Sequence, residues 1–180
     1  MLDLSNPVIA AVRSEEEYFA AIKSAVSAVF MLKAELSSFE RLAAAKGGKQ
    51  VYVHIDIAEG IGKDREGLAF LKRAGADGII STKNHLIALA KEKNLATVQR
   101  FFIIDSVSVS TALEIVASTK PDYAELMPGV LPKAIAGFVE KTKKTKIIAG
   151  GLIENKADVL AALAAGADGV STGKSALWNA

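Results

Sequence analysis

Ile147-Ile148-Ala149-Gly150-Gly151-Leu152-Ile153 decides the fold, together with its echo Gly166-Ala167-Asp168-Gly169-Val170-Ser171-Thr172-Gly173. Each stretch reads as a short apolar strand running into glycines and hydroxyls, with a helix to follow. Backbone without Cβ at a strand's C-terminal end lets an anion approach exposed N–H groups. A helix N-terminus just beyond adds partial positive charge and unpaired donors. Two such turns in succession suggest the last two units of a (β/α)₈ barrel, where barrels of this type hold phosphate. The pair therefore implies a small phosphorylated ligand gripped mainly by backbone.

Working outward, the same strand-then-helix pattern fills the chain. Strands are expected over residues 8–13, 26–32, 51–57, 78–82, 97–105, 123–127, 146–150 and 169–172. Helical spacing of apolar residues covers 15–24, 39–45, 64–74, 86–92, 109–117, 131–141 and 156–164. Strict alternation calls for a parallel sheet with right-handed crossovers. The predicted fold is α/β: one compact TIM-type (β/α)₈ barrel domain over residues 1–180, with short helices. A flavodoxin-like open sheet is the alternative, since the chain is shorter than the roughly 200 residues usual for a barrel. An internal echo favours the barrel: Ala74-Gly75-Ala76-Asp77-Gly78-Ile79-Ile80-Ser81-Thr82 matches Ala165-Gly166-Ala167-Asp168-Gly169-Val170-Ser171-Thr172, half a barrel away. Helix C-capping explains the Gly-Ala-Asp-Gly half. It does not explain Ser-Thr after both strands.

Composition narrows the class. Hydrophobic residues make up 51% of the 180, which argues against disorder. No apolar run approaches the ~20 residues that cross a bilayer. Asp3, Arg13, Glu15, Glu16 and Glu17 interrupt the N-terminal region, which argues against a signal peptide. Without cysteine there are no disulfides or thiolate metal sites, and a cytoplasmic location is expected. A net charge of +2 does not by itself mark a polyanion-binding protein.

Strand side chains alternate between barrel axis and helices. The axial sets are expected to be Ile9, Ala11 and Arg13; Tyr52, His54 and Asp56; Ile79, Ser81 and Lys83; Phe101, Ile103 and Asp105; Tyr123, Glu125 and Met127. Each begins apolar or small, and most finish charged at the top. An unpaired buried charge costs several kcal/mol, so stability alone does not ask for this. Arg13, His54, Asp56, Lys83, Asp105 and Glu125 converging on one mouth form a ligand-site pattern. Phe101 and Phe102 both read as core, and Trp178 as packing for the last short helix.

Several stretches together resemble the glycerol uptake operon antiterminator regulatory proteins. They are His54-Ile55-Asp56, Glu59-Gly60-Ile61-Gly62, Gly78-Ile79-Ile80-Ser81-Thr82-Lys83, Gln99-Arg100-Phe101-Phe102 with Asp105-Ser106, Met127-Pro128-Gly129, Ile148-Ala149-Gly150-Gly151-Leu152-Ile153, and Ser171-Thr172 with Leu177-Trp178. The likeness runs from Pro7 to Trp178. It implies a glycerol 3-phosphate-responsive regulator, not an enzyme, acting on the leader mRNA of glycerol-utilisation genes. One departure is Gly173-Lys174, where serine often follows the Ser-Thr pair.

On that footing the phosphate is expected on the N–H groups of Gly150, Gly151, Thr172 and Gly173, helped by the Ser171 or Thr172 hydroxyl and countered by Lys174. The glycerol end is expected among Arg13, His54, Asp56, Glu59, Lys83, Asp105 and Glu125, carboxylates accepting from hydroxyls. No cofactor or resident metal is expected. The alternative is a barrel enzyme on a small phosphorylated polyol or sugar. Lys83 would be its base or Schiff-base amine, or Asp56, Glu59, Asp105 and Glu125 a Mg²⁺ site for phosphodiester hydrolysis. No RNA-binding module is recognisable. Lysines gather at helix C-termini, which the macrodipole explains, but Lys141, Lys143 and Lys144 exceed what one helix end needs and are the RNA-contact candidates. Ala161, Ala162 and Ala165 suit packing internally or against a second copy, so a homo-oligomer is left open.

Overall fold

Eight short parallel strands close on themselves in sequence order in the structure, a computed structural model that describes residues 2–179. The strands are β1 (Val8–Val12), β2 (Ala28–Met31), β3 (Gln50–His54), β4 (Gly78–Ser81), β5 (Ala96–Phe102), β6 (Tyr123–Met127), β7 (Lys146–Gly150) and β8 (Gly169–Thr172). Between them lie α1 (Glu15–Lys23), α2 (Leu36–Ala44), α3 (Arg65–Arg73), α4 (Asn84–Glu92), α5 (Ser106–Thr119), α6 (Pro132–Lys141) and α7 (Lys156–Ala164). Among the described residues β8 is followed only by a 3-10 turn, Ser175–Leu177. β1 pairs with both β2 and β8, Ile9 lying opposite Ser171, so the sheet is a barrel and not an open one. Among the described residues no helix is long and apolar enough to cross a membrane.

Local chemistry starts the helices. Ser14 accepts from the amide of Glu17 ahead of α1, and Asp64 from those of Glu66 and Gly67 ahead of α3. Asp105 with Ser108, and Asn155 with Asp158, form reciprocal capping boxes on α5 and α7. Each satisfies donors that a helix start leaves orphaned. Strand starts are fixed too. Asp77 accepts from the amide of Val51 (2.8 Å), Asp122 from Thr97 (2.8 Å) and Asp168 from Ile147 (2.8 Å). The aspartates that open β4, β6 and β8 thus each pin the preceding odd strand.

Two apolar layers result. Val29, Met31, Val51, Ile79, Phe101, Leu126 and Val170 face the helices, whereas Ile9, Phe30, Tyr52, Ile80, Val98, Tyr123 and Ile148 fill the axis. Leu2 plugs the bottom, its amide donating to the Tyr123 hydroxyl at 2.8 Å. This corrects two of the expected axial sets. In β4 the axis receives Ile80, not Ile79 and Ser81; in β5 it receives Val98 and Arg100, not Phe101 and Ile103. Parallel strands are apolar on both faces, so alternation there carries no sign. The third strand also ends early: Ile55–Ile57 is a 3-10 turn that swings Asp56 off the strand line. Phe102 is 57% exposed, not core. Trp178 does pack as expected, its indole donating to the Thr172 carbonyl at 2.9 Å.

Candidate functional site

The β7 and β8 corners meet at the top of the barrel. Gly150 lies opposite Ser171 in the ladder, and the two loops beyond them line one cavity of about 330 Å³. Gly151 has φ +76°, the left-handed region that favours glycine, and a Cβ there would stand 2.8 Å from Met127 Cε, the movable tip of that side chain. Leu152 follows at φ +59°, a left-handed conformation costing a β-carbon-bearing residue about 1–2 kcal/mol. The strained turn leaves the N–H groups of Gly151 and Leu152 without a partner among the described residues, as is that of Gly173 across the cavity. Thr172 holds the corners together: its hydroxyl donates to the Ile153 carbonyl (2.8 Å) and accepts from the Lys174 amide (3.1 Å). The start of α7 adds little here: Asn155 accepts from the Asp158 amide, Asp158 accepts from the amides of Glu154 and Asn155, and no α7 residue lines the cavity. The backbone of the corners supplies the positive potential instead.

Arg13, from the end of β1, borders this cavity with its guanidinium 3.5 Å from where a Gly173 Cβ would sit. No carboxylate pairs with it among the described residues. Lys174 lies 3.6 Å from Glu154 and is half exposed. Arg13 is therefore the better placed counter-charge.

Beneath the cavity runs a buried chain that the sequence reading missed. Arg100 Nε donates to Glu125 Oε2 at 2.6 Å, and the Ser171 hydroxyl donates to Glu125 Oε1 at 2.7 Å. Arg100 and Glu125 are 8% and 1% exposed. Such a pair survives burial only because both charges are matched. It also explains Gly150, where a Cβ would stand 2.5 Å from Glu125 Oε1 and 2.6 Å from Ser171 Oγ. A cation inside the otherwise apolar and polar-neutral run Ala96–Phe102 was the signal available for Arg100.

A second lobe of about 380 Å³ adjoins the first, sharing Arg13, Leu32 and Arg100 and adding Lys33, His54, Ile57 and Glu59. Glu59 lies 3.6 Å from Lys33. Both ring nitrogens of His54 are buried without a hydrogen-bond partner; Asp56 Oδ2 is 3.8 Å from Nε2, an ion-pair distance too long for a hydrogen bond. Burial alone would raise the Asp56 carboxyl. Nearby His54, the Ser81 hydroxyl and the Thr82 amide and hydroxyl more than offset it, and hold it well below the usual carboxylate range.

The structure thus brings Gly151, Ser171, Thr172, Gly173, Lys174, Arg13 and Glu125 around one cavity, with Gly150 just below, and His54 and Glu59 in the adjoining lobe. Asp56, Lys83 and Asp105 line neither lobe. Asp56 is held against Ser81 and Thr82, Lys83 is exposed at the start of α4, and Asp105 caps α5. The Ser171 and Thr172 hydroxyls are engaged within the protein. Among the described residues no group of three or more His, Cys, Asp or Glu is placed to hold a metal ion. At the opposite end, Lys46, Lys49 and Lys91 cap neighbouring carbonyls, whereas Lys141, Lys143 and Lys144 are exposed.

Fold and mouth define a (β/α)₈ barrel whose candidate site is built by its last two corners and its first strand. Residues 8–178 match the family model described as glycerol-3-phosphate responsive antiterminator. The chain belongs to this family. It is 33% identical to the uncharacterized protein YgcP of Escherichia coli over 177 residues, covering 97% of this chain and 92% of that one. A glycerol uptake operon antiterminator regulatory protein from Listeria monocytogenes superposes with a TM-score of 0.90 at 30% identity, covering 97% of this chain and 95% of the other. A glycerol uptake operon antiterminator-related protein from Thermotoga maritima does so with 0.84 at 30%, covering 95% and 96%. The family is a regulatory one, so the barrel-enzyme alternative is the less supported reading.

Proposed function

We propose that this barrel senses glycerol 3-phosphate at its mouth, with the phosphate on the amides of Gly151, Leu152 and Gly173 and on the Arg13 guanidinium. The observation carrying this is the convergence of three unpaired backbone donors and one unpaired cation on a single cavity. Lys174 adds charge at the rim, and the glycerol end lies toward the lobe of His54 and Glu59. The responsive partner is a leader mRNA, as the family description implies, and its setting is the cytoplasm. RNA phosphates meet the exposed lysines 141, 143 and 144 at the bottom of the barrel. No cofactor or metal takes part in this reading.

Isothermal titration with glycerol 3-phosphate tests it: saturable heat is expected, and Arg13→Gln weakens binding about tenfold through the loss of a charge-assisted pair. No heat at millimolar ligand from folded protein would overturn the assignment. For RNA, neutralising Lys141, Lys143 and Lys144 together reduces the salt slope of leader binding by up to about three. An unchanged slope moves the RNA face elsewhere.

A further inference from the structure

The carboxylate of the second lobe, Glu59, stands exposed at its rim, 3.6 Å from Lys33. The buried carboxylates nearby do not line this lobe and are already taken, Glu125 by Arg100 and Ser171 and Asp56 by Ser81 and Thr82. Donors are plentiful by contrast. Arg100 uses only Nε on Glu125, and its two terminal nitrogens have no partner among the described residues. His54, 9% exposed, stands apart because neither ring nitrogen has a partner. A neutral imidazole offers one donor and one acceptor, on opposite sides of the ring. Its χ2 torsion is soft and broad, which leaves the ring free to turn a nitrogen toward the lobe that His54 already lines.

A hydroxyl needs both kinds of partner, since it brings a proton and two lone pairs. A lobe of arginine donors alone would suit a second anion. Adding an imidazole that can accept makes it suit adjacent hydroxyls. We propose that His54 and Arg100 are the specificity-determining residues of the mouth, reading the two neighbouring hydroxyls of a phosphorylated vicinal diol. His54 accepts a hydrogen bond from one hydroxyl, and the terminal nitrogens of Arg100 donate to the remaining lone pairs. Leu32 and Ile57 wall the carbon chain. Glu125 is a positioning residue here: it fixes Nε and so points the rest of the guanidinium into the lobe. This deepens the reading of a phosphate at the β7–β8 corners and rests on it.

The test compares three probes on the intact protein by titration: sn-glycerol 3-phosphate, 3-hydroxypropyl phosphate, which lacks the middle hydroxyl, and inorganic phosphate. Wild type is expected to prefer the diol over the deoxy ester about tenfold, the worth of one net hydrogen bond. In His54→Phe, and separately in the double variant R100Q/E125Q, that preference shrinks to within about twofold. The double variant removes both charges together, so no buried ion is left alone. If His54→Phe does not fold, the double variant and the wild-type ratio decide. Equal binding of the two esters by wild type, with both bound, overturns the proposal while leaving the phosphate site in place. So does full discrimination by both variants. If none of the three probes binds wild type, the phosphate site itself falls and this reading falls with it.

Discussion

The corners after β4 and β8 carry nearly the same text, Gly-Ala-Asp-Gly through Ser-Thr, and do opposite things with it. At β4 the Asp56 carboxylate occupies the corner, accepting from the Ser81 hydroxyl at 2.5 Å and from the Thr82 amide and hydroxyl at 2.7 Å each. This corner has its anion built in. At β8 the carboxylate, Glu125, sits below the corner and is shared with Arg100, so the amides above it stay open. The β8 stretch is one residue shorter between glycine and serine. A one-residue change turns a strand side chain to the other face. Ser81 therefore leans away from the axis to meet Asp56, and Ser171 points along it to meet Glu125. A cradle for negative charge recurs with the repeated sequence: at β4 the chain's own carboxylate fills it, and at β8, one residue shorter, the amides are left open.

The comparison breaks most visibly at Glu125. Glu125→Ala leaves Arg100 buried and unmatched and should cost about 3–5 kcal/mol in urea unfolding. A loss under 1 kcal/mol would mean that the buried chain is not what holds the β8 corner. Next comes the glycine pair. Gly150→Ala drives a methyl into Glu125 and Ser171 and should cost about 1–3 kcal/mol. At Gly173 φ is ordinary and a Cβ would meet only Ala11 and Arg13 at 3.5 Å, so Gly173→Ala should change stability by less than about 0.5 kcal/mol. Equal costs at the two positions would erase the distinction between a glycine under the cavity and one beside it. Between those two glycines in size comes the β4 corner. Asp56→Asn gives up charge-assisted hydrogen bonds and should cost about 1–2 kcal/mol at pH 7. Because the folded carboxyl titrates below its ordinary value of 3.8, its contribution is whole above that value and fades as pH falls below it. Acid unfolding of wild type should therefore converge on that of Asp56→Asn below pH 3.8; curves that stay parallel would show that no anion is held there.

The barrel was legible because apolar strand runs alternate with helical spacing along the chain, and side-chain caps at Ser14, Asp64, Asp105 and Asn155 start four of the seven helices so spaced. The β7–β8 pairing was legible for a similar reason: Gly150-Gly151 and Ser171-Thr172 mark strand ends whatever the fold around them. What failed was face. In β5 Phe101 and Arg100 compete for the axis, and hydrophobicity alone assigns it to phenylalanine. Only the presence of Glu125 on the neighbouring strand, 25 residues on, makes arginine the inward residue. Asp56, Lys83 and Asp105 were drawn into the mouth by extending strand periodicity past the point where the backbone had already turned.

The aspartate pins at the barrel floor join only strands that follow one another in the chain: Asp77 to Val51, Asp122 to Thr97 and Asp168 to Ile147. None spans the junction of β1 with β8, which relies on a three-residue ladder and apolar contact. Arg13 and Gly173 face each other across that seam. An effector gripped between them would act as a clasp on the hoop, fastening the first stave to the last.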